Sequence, residues 1–174
     1  MNLGLITDKT HRRYRSYVGY APLPKAFYQA IKGINFLNGK KVLEIGATTD
    51  LNLHDFVVGH CGYYDTVGFE AENVPGYVSR DFFSMSEEKK YDLVISNRVF
   101  ERDSTLVFPM WGWRSVGVGD VLEKFNGLLV NEGWVVARTF KKRSMFSREQ
   151  VEQAGFNYQQ DSNEEITLMQ RGKL

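Results

Sequence analysis

Cysteine is almost missing from this sequence, and its scarcity removes whole classes of protein. With a single residue, Cys61, the chain can form neither an internal disulfide nor a cysteine-built zinc cluster. Cys61 reads as a small buried hydrophobe, in keeping with a reducing compartment, and the expected location is cytoplasmic. Long apolar runs are missing too. Nothing approaches the roughly 20 residues of a membrane-spanning helix, and the first residues carry no apolar stretch of the kind that signals export. An excess of one charge is also lacking. Lysine plus arginine total 22 against 21 for aspartate plus glutamate, so bulk electrostatics selects neither nucleic acid nor a membrane surface. The three histidines, His11, His54 and His60, show no metal-ligand spacing, so no metal is expected. No G-x-x-x-x-G-K-[ST] phosphate loop occurs either.

What is present is an ordinary globular composition, 43% hydrophobic and 25% charged, in a chain of 174 residues that can bury a core. Residues 1–24 read as a basic, tyrosine-rich arm: Lys9, His11, Arg12, Arg13 and Arg15 lie among Tyr14, Tyr17 and Tyr20. Residues 25–174 read as one domain. An amphipathic helix is predicted over 25–37, with Phe27, Ala30, Ile31, Ile34 and Leu37 on one face and Asn38-Gly39 ending it. Strands are predicted at 41–46, 65–70, 77–79, 91–96 and 134–138. Asp50 caps one predicted helix, Asp120 a second over 119–130, and Ser147 a third that Gly155 ends. Residues 131–133 read as a turn. Two late segments, 156–159 and 165–171, read as a closing antiparallel pair. Alternation of strand and helix without repeats predicts a doubly wound α/β fold with a mostly parallel sheet.

The run Val42-Leu43-Glu44-Ile45-Gly46 carries the strongest functional signal. An apolar strand ends in an acid and a glycine, and the carboxyl end of the first strand is where open α/β sheets bind ligands. Glycine lets the backbone pass close to a bound group. A dehydrogenase would require G-x-G-x-x-G here, and Gly46-Ala47-Thr48-Thr49-Asp50-Leu51 supplies only its first glycine.

From about residue 25 onward the chain resembles the class I S-adenosylmethionine-dependent methyltransferases. Val42-Leu43-Glu44-Ile45-Gly46 is similar to the first family motif, Gly68-Phe69-Glu70 to the second and Ser79-Arg80-Asp81-Phe82 to the third. Tyr91-Asp92-Leu93-Val94-Ile95-Ser96-Asn97, with Val99-Phe100-Glu101, resembles the fourth. Leu128-Leu129-Val130-Asn131-Glu132-Gly133 resembles the helix-to-strand turn, and Ala154-Gly155-Phe156 the late helix end. The resemblance implies S-adenosylmethionine as cofactor, held by Glu44, Gly46, Ala47, Glu70, Asp81, Phe82 and Ser96. Glu70 would accept both ribose hydroxyls, by the same logic that places an acid after strand two in dinucleotide folds. Asp81 would accept from the adenine amino group, with a loop turn as its alternative reading, and Phe82 would cover the ring. The first motif departs from the family pattern, because Thr48 and Asp50 stand where glycines are usual.

The segment between Glu101 and Asp120 is long and holds Trp111, Trp113 and Arg114. Long aromatic loops are often binding loops, and in this family the acceptor pocket lies there; anchoring on the core is the competing reading. Ser96-Asn97-Arg98-Val99 lacks the proline-aromatic pattern of enzymes that methylate base amines, and Cys61 sits in no Pro-Cys pair. Arg138, Lys141, Lys142, Arg143 and Arg148 read as a solvated basic face, with an anionic partner as the alternative. A small-molecule acceptor or a partner-presented one is expected, with nucleic acid disfavoured and no membrane. No catalytic base is identifiable, since alignment of the acceptor supplies much of the rate. The competing class is a non-catalytic module of the same fold, motivated by Thr48 and Asp50.

Overall fold

A computed structural model describes residues 30, 37–46, 57, 61–68, 76–79, 81–97, 99–100, 116–139, 142–160 and 164–173. Its frame is a seven-stranded sheet. The strands are β1 (Lys41–Ile45), β2 (Tyr63–Val67), β3 (Tyr77–Ser79), β4 (Tyr91–Asn97), β5 (Leu129–Arg138), β6 (Phe156–Gln160) and β7 (Ile166–Arg171). Their spatial order is β3-β2-β1-β4-β5-β7-β6. The first five run parallel, while β7 pairs antiparallel with both β5 and β6. This is the predicted doubly wound, mostly parallel sheet with an antiparallel close.

β1 and β4 occupy the middle because they are apolar on both faces. Leu43 and Ile45 of β1 and Val94 of β4 join a core with α1 (Val118–Leu128) and α2 (Arg148–Gln153), through Val121, Leu122, Phe125 and Val151. Val42, Leu93 and Ile95 face the other way, onto Leu37, Val57 and Ala30. On the first face, aromatic rings fill the space beneath α1. Phe125 packs edge-on against Phe82 at 5.5 Å and Phe100 at 5.3 Å, and Phe100 lies 5.5 Å from Phe146. Lys124, buried beside Phe125, donates to the Met85 carbonyl at 2.7 Å and to Glu87 at 3.1 Å. It thereby fastens α1 to the segment after β3.

Several boundaries differ from those the sequence suggests. β2 begins at Tyr63, so that Asp65 is an interior strand residue, 2% exposed. Aspartate disfavours strands, but here its carboxylate accepts from the Tyr91 hydroxyl at 2.6 Å and pairs with Lys89 at 2.5 Å. Phe69 and Glu70, expected to end that strand, lie outside the described residues. The 131–133 turn falls inside β5 as an irregularity: α1 passes directly into the strand, but between the Tyr91–Leu129 and Leu93–Trp134 pairs the register shifts, and Glu132 takes a left-handed φ of 61°. α1 is capped at Gly117 rather than Asp120, whose Oδ2 reaches back to the Gly117 N–H at 2.7 Å. Ser147 does cap α2, accepting from Gln150 N at 3.3 Å, and Gly155 follows with φ 85°. The helix capped by Asp50 and the basic arm fall outside the described residues.

Phe125 is the ring that the others surround, so Phe125→Ala should cost about 3–5 kcal/mol. Urea unfolding measures this. A loss below about 1 kcal/mol, within the range of ordinary surface substitutions, would mean that the aromatic cluster does not hold α1 on the sheet.

Candidate functional site at the carboxyl edge of the sheet

From β1 the chain winds to one side through β2 and β3, then returns to pair β4 on the opposite edge of β1. In open α/β sheets such a reversal marks the carboxyl ends of the two strands, here β1 and β4, as the place where ligands bind. The described site residues of β1, β3 and β4 come to this edge.

Gly46 directly follows β1. Its φ is 79°, a conformation that favours glycine, and its N–H donates to the Val67 carbonyl at 2.8 Å. Glu44, 5% exposed, lies between Thr66 and Ile95 in the sheet register. Its Oε2 accepts a 2.5 Å hydrogen bond from the Tyr64 hydroxyl. Burial, then the charge of Glu44, then this hydrogen bond hold the Tyr64 phenol above the usual tyrosine range. The bond fixes the carboxylate across the β1–β2 ladder.

Beyond β3, Asp81 adopts the turn that was its alternative reading. Its Oδ1 accepts from Phe83 N at 3.0 Å and caps a 3-10 turn over Phe82–Ser84. Ser79 Oγ donates to the Asp81 carbonyl at 2.9 Å and accepts from its N–H at 3.2 Å. Phe82 does not take the expected ring-covering position. It is 1% exposed and its ring belongs to the core beneath α1, so it cannot also stack on a ligand. The adjacent Phe83 is only partly buried.

Ser96 ends the buried part of β4, paired with Ile45 on one side and Ala137 on the other. Its side chain is fully buried and its Oγ has no hydrogen-bond partner among the described residues. Native proteins leave few buried polar atoms unmatched, and each one calls for an explanation. Ala47, Glu70, Trp111, Trp113 and Arg114 lie outside the described residues.

One residue was misread from sequence. Arg138 belongs to no solvated strip; it is 6% exposed at the end of β5. Its guanidinium donates to Asn97 Oδ1 at 3.2 Å and lies 3.9 Å from Glu165. Strand alternation carried the signal, because Arg138 falls in phase with the inward-facing Val136. Lys142, Arg143 and Arg148 are exposed as expected, and Lys141 lies outside the described residues. Among the described residues no group of acidic, histidine or cysteine side chains has metal-site geometry. None of their helices is long and apolar enough to cross a membrane.

No protein-family model matches the chain, and no curated protein matches it significantly in sequence. Solved structures do match in shape. The N-methyltransferase NodS from Bradyrhizobium japonicum WM9 aligns with a TM-score of 0.57 at 10% identity, covering 96% of this chain and 99% of that one. An S-adenosylmethionine-dependent methyltransferase from Mesorhizobium loti gives 0.58 at 9% identity, over 84% of this chain and 98% of its own. A chain from the complex between the Haloferax volcanii Trm112 methyltransferase activator and a putative methyltransferase gives 0.58 at 11% identity, over 98% and 97%. The fold is that of the class I methyltransferases.

A half-buried phenol and a fully buried one make the sheet alkali-sensitive. Tyr91, like Tyr64, is held above the usual tyrosine range, by burial first and then by its hydrogen bond to Asp65. The folded chain therefore keeps two protons that the unfolded chain releases above about pH 10. Stability from this difference is complete below that pH and falls above it, by about 1.4 kcal/mol per pH unit for each tyrosine. Denaturant unfolding between pH 9 and 11 should show a shallower decline in Tyr64→Phe, Tyr91→Phe than in wild type. Parallel declines would place both phenols outside the folding equilibrium.

Proposed function

We propose that the chain is an S-adenosylmethionine-dependent methyltransferase whose acceptor is a small molecule or a group presented by a partner protein. The observation that carries this reading is the carboxyl edge at the strand-order reversal, where Gly46, in a glycine-favouring conformation after Glu44, lies next to the strand bearing Ser96, whose buried hydroxyl has no partner among the described residues. These residues fit the cofactor. Backbone at Gly46 allows close approach, and a buried hydroxyl without a partner suits a polar ligand. When bound, S-adenosylmethionine supplies a methyl carbon made electrophilic by its sulfonium.

In this reading Glu70 accepts from the ribose hydroxyls, Asp81 meets the adenine amino group through the turn it caps, and Phe83 rather than Phe82 covers the ring. Gly46 and Ala47 pass along the cofactor, and Ser96 contacts it from β4. Glu44, held by Tyr64, fixes the loop that follows β1. Trp111, Trp113 and Arg114 belong to the acceptor side. The chain's contribution to rate is alignment of acceptor and methyl donor. One fold neighbour comes from a complex with the Trm112 methyltransferase activator, which supports a partner protein for this chain.

The competing reading, a non-catalytic module of this fold, draws on Thr48 and Asp50 and on the engagement of Glu44 by Tyr64. Calorimetric titration separates the two. The enzyme reading expects both S-adenosylmethionine and its demethylated product to bind well below millimolar concentration. Absence of heat and of thermal shift would favour the module.

Within the enzyme reading, Glu70→Ala removes two charge-assisted hydrogen bonds, each worth roughly 1.5–3 kcal/mol. Cofactor affinity should therefore drop at least tenfold in a folded protein. An unchanged dissociation constant would refute the ribose assignment.

A further inference from the structure

Arg138 aside, three buried side-chain polar atoms have no hydrogen-bond partner among the described residues: Ser96 Oγ, Thr139 Oγ1 and, on a half-buried residue, Glu164 Oε2. They are not scattered. Ser96 pairs with Ala137 across β4 and β5, and Thr139 lies two residues further along the same strand direction. The Thr139 N–H donates to the Glu165 carbonyl at 2.9 Å, which brings the turn holding Glu164 to the same corner. Ser96 is fully buried and Thr139 is 1% exposed. Glu164 has a left-handed φ of 58°, uncommon for a residue with a side chain.

Other hydroxyls nearby are satisfied. Ser144 Oγ and Thr167 Oγ1 approach each other at 3.4 Å, and Ser144 Oγ also accepts from Phe146 N at 3.1 Å. Unmatched hydroxyls here are therefore not a general property of this part of the chain. Arg138 and Asn97, which alternate with Thr139 and Ser96 along the two strands, bond to each other at 3.2 Å. The strand ends are thus polar throughout, and specific atoms are left without partners.

We infer that Thr139 Oγ1 and Glu164 Oε2, beside Ser96, form a polar subsite that receives a hydrogen-bond-donating group, an amine or a hydroxyl, of the methyl acceptor. This rests on the methyltransferase reading for the word acceptor, but the subsite itself stands on the three unmatched atoms. The carboxylate oxygen can only accept, and the threonine hydroxyl both donates and accepts. An N–H or O–H group satisfies both, whereas a carboxylate would set two acceptors against each other. The position, one strand over from the β1–β4 crevice, places such a group next to the cofactor side of the edge rather than within it.

The test uses ethanolamine, glycerol and acetate as probes, read by backbone amide shifts of the full chain. Ethanolamine or glycerol should give saturable shifts at Thr139 and Glu164, and acetate should not. The arm that responds separates the amine from the hydroxyl. Thr139→Val, which keeps shape and removes the hydroxyl, should weaken that response at least fivefold. Its melting temperature should be unchanged or raised, because an unmatched buried hydroxyl is lost. A merely structural hydroxyl would lower the melting temperature instead. Glu164→Gln, which retains size, provides the second variant and should also weaken the response. No saturable shift with either donor probe, a response to acetate alone, or a response untouched by both substitutions would overturn the subsite. S-adenosylmethionine titrated separately tells the two failures apart. Cofactor binding without any probe response leaves the methyltransferase reading standing and removes the subsite; probe response without cofactor binding does the reverse.

Discussion

The whole arrangement depends on β1 being hydrogen-bonded along both edges, to β2 on one side and β4 on the other. A strand in that position has both faces covered and both edges used, so nearly every residue must be apolar or internally satisfied. Val42, Leu43 and Ile45 meet the first condition and Glu44, through Tyr64, the second. β2 and β4 pair with opposite edges of β1, so strand order reverses there, and in open α/β sheets such a reversal leaves a crevice at the carboxyl ends. The crevice is a consequence of strand order. Function is then a matter of which side chains the neighbouring strands deliver to it.

Burial is divided in a way that serves this edge. Apolar residues dominate the middle of β4 and β5, and polar residues gather where those strands end: Ser96 and Asn97 on one, Arg138 and Thr139 on the other. The aromatic cluster under α1 and the Lys124 contacts to Met85 and Glu87 stiffen the segment after β3 from below. Asp81 thus sits beside that core in a turn with its own hydrogen bonds. Phe82 is spent on that core.

Much of this was legible in the residues. Periodicity located every described strand, since long apolar runs such as Tyr91–Ser96 allow little else, and the acid-glycine end of β1 marked the edge proposed here as the ligand site. Errors arose where one local pattern admits two tertiary outcomes. Asp65 looked like a strand start because nothing nearby in sequence announces Tyr91 and Lys89 as its partners. Phe82 and Phe83 are adjacent and alike, so only the packing of Phe100 and Phe125 decides which one turns inward. Arg138 looked like the first member of a basic face, and strand phase overrode composition. Thr139 and Glu164 could not have been found at all, because an unmatched buried atom is a property of three-dimensional neighbours.

The central claim is that the β1–β4 crevice is a cofactor site. Backbone amide shifts recorded during titration with S-adenosylmethionine test it most directly, because they report location as well as affinity. The account predicts saturable shifts concentrated at Gly46, Asp81, Phe83 and Ser96, with the β6–β7 pair unaffected. Saturable shifts centred elsewhere, or none at millimolar ligand, would contradict it.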